Sequence, residues 1–172
     1  TKLSSFADLV VISNQVRGTT ADTMDVITSW TGSTTDQYAQ VVQANAPQGD
    51  DGGPALRCSA VDDGYIGHGG SGIWEVYKVV NGSFTLLGSG GTPATNDVFY
   101  MEIQGTTLIA KQNGVTRITI TSESSIASGK PGIFCYSANA RYDNWAAGDF
   151  SVPGGVNCTQ ALMGVGCEGA SA

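Results

Sequence analysis

Along most of the chain, apolar and polar residues alternate in short stretches broken by turn-forming clusters. Alternation of period two marks strands with one buried face. A helix would need apolar residues at i, i+3, i+4 and i+7, and no segment holds that spacing over three turns. The pattern predicts strands at 9–17 (LVVISNQVR, with a turn near Ser13-Asn14), 24–30 (MDVITSW) and 36–43 (DQYAQVVQ). A turn-rich stretch from Pro47 to Pro54 leads into ALRCSAV at 55–61. Asp62-Asp63-Gly64 then turns the chain into Tyr65-Ile66, and Gly67-His68-Gly69-Gly70 reads as a loop. Further strands are predicted at 73–80, 83–89, 98–104, 107–112, 115–121, 133–138 and 144–152. Asn81-Gly82 and Asn113-Gly114 predict tight type I′ hairpins, because both residues of each pair tolerate positive φ. Alternation turns Phe99, Met101, Ile103, Leu108, Ala110, Ile118 and Ile120 inward and puts Tyr100 and Glu102 on the opposite face. About ten to twelve short strands at regular spacing are the signature of an all-β sandwich or barrel.

Composition narrows this reading. A length of 172 residues suits one domain with a real core. Apolar residues make up 41% of the chain and charged residues 13%, with 24 glycines, which fits strands joined by tight turns. Net charge is −7, and the eight Lys and Arg are scattered. Nucleic acid needs a concentrated basic face and is excluded as an expected partner. No apolar run reaches the roughly 18 residues that would span a bilayer, so membrane insertion is not expected. The chain starts at Thr1 without Met or a signal peptide, so a start already processed or trimmed is expected.

Four cysteines stand at 58, 135, 158 and 167 and allow three pairings. Cys158 and Cys167 would close a short loop in the Gly-rich tail, 153–172. Cys58 and Cys135 lie in predicted strands and either bridge neighbours or pack as buried thiols. There is no CxxC or Cys/His cluster of the kind that holds zinc.

Three consecutive segments resemble the concanavalin A-like lectin/glucanase superfamily in its laminin-G-like bacterial and phage branch. They are YKVVNGSFTLLGSGG at 77–91, NDVFYMEIQGTTLIAKQNGVTRITIT at 96–121 and SGKPGIFCYSANARYDNWAAGDFSV at 128–152. The resemblance implies a two-sheet antiparallel jelly-roll sandwich over residues 1–152. It also implies a lectin-like glycan-binding role at a cell or particle surface, outside the cell or on a virion. The runner-up is a structural virion component, such as a decoration, fibre or tail protein, with an assembly partner or a homo-oligomer. Family members begin with an extra strand of the DxFxR…GxxW kind that this chain lacks. That implies a partner strand at the sheet edge or a longer parent protein.

Retaining glycosidases of this fold place two carboxylates about 5 Å apart through an E-x-D-x-x-E run on one strand. Glu75, Glu102, Glu123 and Glu168 each stand alone, so no catalytic residue is expected. His68, the only histidine, reads as an exposed loop residue. Sugar binding needs an aromatic platform for the C–H face of a pyranose, with polar groups at its rim. Tyr38, Arg57, Tyr65, Tyr100, Glu102, Arg141 and Tyr142 are the expected ligand contacts, with Tyr38 and Arg57 on adjacent strands. Asp62 and Asp63 are calcium candidates, against the plainer reading that Asp and Gly simply make the turn. No other cofactor is expected.

Overall fold

A computed structural model describes residues 9–18, 23–26, 35–45, 52–59, 63–70, 72–136, 139–150 and 160–161, with the backbone alone for 23–26 and 160–161. Two strands open it as a hairpin, β1 (Leu9–Ile12) and β2 (Gln15–Gly18). Ser13 and Asn14, at φ 50° and 65°, make the expected turn. Next come β3 (Thr23–Val26), β4 (Gln37–Gln43), β5 (Gly52–Cys58) and β6 (Gly64–Gly70). The hairpin β7 (Ile73–Val80) and β8 (Ser83–Ser89) turns on Asn81 and Gly82, at φ 49° and 73°. A meander of β9 (Val98–Gln104), β10 (Thr107–Gln112) and β11 (Val115–Ile120) follows, with Asn113 and Gly114 in its second turn. The described chain ends with β12 (Lys130–Cys135), β13 (Tyr142–Asp149) and the short β14 (Gln160–Ala161).

These strands form two antiparallel sheets packed as a jelly-roll sandwich. The eight-stranded sheet runs β1-β2-β13-β4-β9-β10-β11, with β14 added on β13, and the six-stranded sheet runs β3-β12-β5-β6-β7-β8. Phe99, Met101, Ile103, Leu108, Ala110 and Ile118 are buried in the core between them, with Ile120 partly buried, as the alternation predicts. Trp74 of the other sheet stacks on Phe99 with ring centroids 4.7 Å apart. Where β8 and β11 approach, a Cβ on Gly88 would lie 2.8 Å from Ile118, so that position needs glycine for the sheets to close.

One expectation is corrected here, and one of the two readings of Cys58 and Cys135 is borne out. His68 lies not in a loop but on β6, paired with Glu75 of β7. The glycines around it let neighbouring chains approach: a Cβ on Gly67 would meet Met101 Sδ at 2.9 Å and Pro54 Cδ at 3.1 Å. Nor do Cys58 and Cys135 bridge. Strands β5 and β12 are neighbours, but Cys58 registers with Lys130 and Cys135 with Gly52. Five residues of strand separate the two positions, roughly 16 Å, whereas a disulfide needs Cα atoms within about 7 Å. Burial pushes the Cys58 thiol up to about 12, which keeps it protonated and inert. Cys158 and Cys167 lie outside the described residues, as do Asp62 and the predicted strand residues 27–30.

Candidate functional site

Three of the expected ligand residues turn out to hold the fold together. Arg57 is only 2% exposed. Its guanidinium donates to three backbone carbonyls: Nε to Thr35 at 2.7 Å, Nη1 to Ile126 at 2.8 Å and Nη2 to Gly105 at 2.8 Å. Its own N–H donates to the Gln37 side chain, which in turn donates to the carbonyl of Gly129. One buried cation thereby ties together three parts of the chain, at Thr35, Gly105 and Ile126. Arg57 also lies in the six-stranded sheet and Tyr38 in the other, so the two do not share a face. Tyr65 is buried. Its hydroxyl donates to Glu123 Oε1 at 3.1 Å and accepts from the N–H of Ile126 at 3.1 Å. Desolvation pushes that hydroxyl up to about 12. Tyr142 is buried in the central core. Polar tips made all three look like surface groups, yet each points into packed protein.

Arg141 is exposed in the loop before β13. Asp63 Oδ1 accepts from the N–H of Asn81 at 2.6 Å and so pins the β7–β8 hairpin. Among the described residues no group of three His, Cys, Asp or Glu side chains converges as a metal site would require.

Tyr38, Tyr100 and Glu102 do come together, on the outer face of the eight-stranded sheet. Tyr38 registers with Glu102, and their neighbours Tyr100 and Lys111 also pair across strands. The Tyr38 and Tyr100 rings stack at 5.7 Å and 20°, with Phe150 5.8 Å from Tyr38. Tyr100 donates to Glu102 Oε2 at 2.7 Å, and Lys111 Nζ reaches the same oxygen at 3.3 Å. Desolvation, then the Glu102 carboxylate, raises the Tyr100 hydroxyl above its ordinary range.

A second grouping, missed in the sequence, occupies the outer face of the six-stranded sheet. Strands β12 and β8 are four places apart, roughly 19 Å on a flat sheet. Yet Phe134 of β12 and Phe84 of β8 bring their ring centroids to 6.0 Å. The sheet therefore curls toward this face, and the rings roof its middle strands. Beneath them Ala55, Cys58, Ile66 and Val79 form a small core of their own, with Tyr77 packed against it. At one end of this concave face a polar chain emerges. His68 Nδ1 lies 3.6 Å from Glu75 Oε2, which also accepts from the Tyr77 hydroxyl at 2.9 Å. Three rings surround His68: Tyr77 at 5.8 Å, Tyr136 at 5.6 Å and Phe134 at 6.3 Å. Tyr136 is 36% exposed and borders solvent. The signal for this cluster was period two carried one strand further: Ile66 and His68 share a face, as do Glu75 and Tyr77.

The arrangement suits recognition by stacking and hydrogen bonding. A carboxylate and an imidazole can hold vicinal hydroxyls while an aromatic ring covers an apolar C–H face.

Among solved structures, the chain is similar to the carbohydrate-binding module CBM66 from Bacillus subtilis, at 14% identity and a TM-score of 0.67 over 86% of this chain and 99% of that one. It is also similar to a functionally unknown protein from Saccharomyces cerevisiae, at 13% identity and a TM-score of 0.56 over 88% and 97% of the two chains. A third similarity, at 13% identity and a TM-score of 0.53, is to part of the GH43 protein BlXynB from Bacillus licheniformis, covering 80% of this chain and 34% of that one. No protein-family model matches the sequence, and no curated protein sequence matches it. At these identities the likeness establishes the fold: a two-sheet antiparallel β-sandwich of the kind found in a carbohydrate-binding module.

Proposed function

We propose that this domain is a non-catalytic carbohydrate-binding module of the concanavalin A-like class, working where glycans are displayed, outside the cell or on a particle surface. It seats a sugar at the His68–Glu75–Tyr136 end of the concave face. The observation that carries this reading is the carboxylate–imidazole pair at 3.6 Å enclosed by aromatic rings on a curled sheet. Glu75 accepts from sugar hydroxyls, His68 contributes the second polar contact, and Tyr136 supplies the exposed stacking ring. The similarity to a carbohydrate-binding module over 86% of this chain supports the same class of ligand.

Hydrolysis fits this face less well. It would take a second carboxylate about 5 to 9.5 Å from the first. Among the described residues, Asp63 is held at the far end of the sheet by Asn81, and Glu102 belongs to the opposite sheet. A glycan array on the purified domain, with and without added calcium, tests the proposal. Reproducible binding that disappears in Tyr136→Ala supports it. A blank array on folded protein contradicts it and favours a structural role in an assembly.

A further inference from the structure

We infer that Asn81 is a site of spontaneous deamidation, a covalent change of the exposed β7–β8 turn, whereas the second Asn-Gly pair at Asn113 is protected by the fold. The inference goes beyond the proposed function and is independent of it.

Asparagine followed by glycine is the pairing most open to ring closure, because glycine puts no side chain beside the attacking nitrogen. The chain holds two such pairs, Asn81-Gly82 and Asn113-Gly114. Hydroxide takes the proton from the backbone nitrogen of the glycine. That nitrogen forms a bond to the Asn Cγ, and the Cγ–Nδ2 bond breaks to release ammonia. Water then opens the cyclic imide at either carbonyl. Cleavage of the ring nitrogen from Cγ leaves aspartate. Cleavage from the main-chain carbonyl carbon leaves isoaspartate, whose backbone is one carbon longer.

Both pairs lie in exposed two-residue turns with left-handed backbones: φ is 49° and 73° at Asn81 and Gly82, and 51° and 78° at Asn113 and Gly114. What differs is how each carboxamide is held. Asn113 Oδ1 accepts from the N–H of Val98 at 2.9 Å, and its Nδ2 donates to Asp97 Oδ1 at 2.6 Å. Its own N–H donates to the Val98 carbonyl at 2.9 Å. Asp97 is 7% exposed and fixed in turn by the N–H of Ala94 at 2.8 Å and the Gln112 side chain at 2.6 Å. Ring closure at Asn113 therefore has to break both side-chain bonds, and the nitrogen that must leave is the donor to Asp97. At Asn81 the backbone N–H is bonded, to Asp63 Oδ1 at 2.6 Å, but among the described residues no hydrogen bond holds the carboxamide. Gly82 has no atom within 4 Å of where a Cβ would stand, so hydroxide and water reach the turn.

Either product changes the hairpin. The aspartate product sets a second carboxylate beside Asp63. Isoaspartate lengthens a turn across which Val80 registers with Ser83 and Val79 with Phe84. The Phe84 ring reaches Phe134 at 6.0 Å and Tyr77 at 6.3 Å, so the extra carbon disturbs the roof of the six-stranded sheet.

The test is peptide mapping by mass spectrometry after the whole chain is held at mildly alkaline pH, folded and, in parallel, unfolded in guanidinium. Isoaspartyl methyltransferase labelling marks the product with the longer backbone. In the unfolded chain both pairs should convert at similar rates. In the folded chain Asn81 should convert at least about tenfold faster than Asn113, a ratio that two hydrogen bonds suffice to impose. Conversion at Asn113 as fast as at Asn81 in the folded chain overturns the inference. So does an Asn81 that stays intact while the unfolded chain converts. The purified isoaspartate form should melt below Asn81→Asp, which gains the charge without the extra carbon. Equal melting contradicts the effect assigned to the longer turn.

Discussion

A buried cation must be hydrogen-bonded and paired, and Arg57 is held by three backbone carbonyls with Asp36 Oδ1 3.8 Å from its Nη2. Arg57→Met would leave the carbonyls of Thr35, Ile126 and Gly105 without their partner. We expect a loss of about 3 kcal/mol, read by urea unfolding, since each unsatisfied buried acceptor costs about 1–3 kcal/mol. Sugar affinity of the folded fraction should not change. Glu123 adds a pH dependence. Burial alone would raise its carboxyl, but hydrogen bonds from the Ser125 side chain and N–H and the Tyr65 hydroxyl, with the charge of Lys78, outweigh burial and hold it below the ordinary range. The folded-state value thus lies below the unfolded one, near about 4.3. The stabilisation is present above that pH and is lost as pH falls through the folded value. The stability advantage of wild type over Glu123→Gln should therefore shrink below about pH 4; an advantage constant with pH would contradict this account. At this scale the sequence was least legible. Alternation assigns a residue to a face, but it does not say what covers that face. Arg57, Tyr65 and Tyr142 were thus read as open when loops and the facing sheet enclose them.

Among the elements, the hairpins were legible because their chemistry is local. Gly82 has no atom within 4 Å of where a Cβ would stand, so Gly82→Ala introduces backbone strain at φ 73° and nothing else. A loss of about 1 kcal/mol is expected in thermal unfolding, the cost of a left-handed residue with a side chain. Gly67 presents the opposite case, since its missing side chain makes room for Met101, Pro54 and Trp74. Gly67→Ala overpacks the core and should cost about 1–3 kcal/mol. The two glycines look alike in sequence, and this is why β6 was cut short. Glycine signals a turn where the chain reverses and a close approach where sheets pack, and only the three-dimensional neighbours separate the two. His68 fell out of the candidate site with that misreading. Tyr100 and Glu102 share a face as the alternation of β9 predicts, and the unshifted register of β4 on β9 sets Tyr38 beside them.

Taken whole, the molecule is a sandwich whose two outer faces are dissimilar. The six-stranded sheet curls under converging rings with the His68–Glu75–Tyr77 cluster at one end, whereas the eight-stranded sheet carries the stacked Tyr38 and Tyr100 rings beside Glu102. The fold class was legible because strand number, turn spacing and alternation agree across the chain. The choice of binding face was not, since curvature arises from packing between strands distant in sequence, such as β12 and β8. The central claim is that the concave face binds sugar through Glu75 and Tyr136. It is tested most directly by calorimetric titration of the best array-selected oligosaccharide into wild type, Glu75→Gln and Tyr136→Ala, with folding checked by circular dichroism. We predict that each variant stays folded and binds at least about tenfold more weakly, a loss of roughly 1.4 kcal/mol. Folded variants that keep wild-type affinity would contradict the claim.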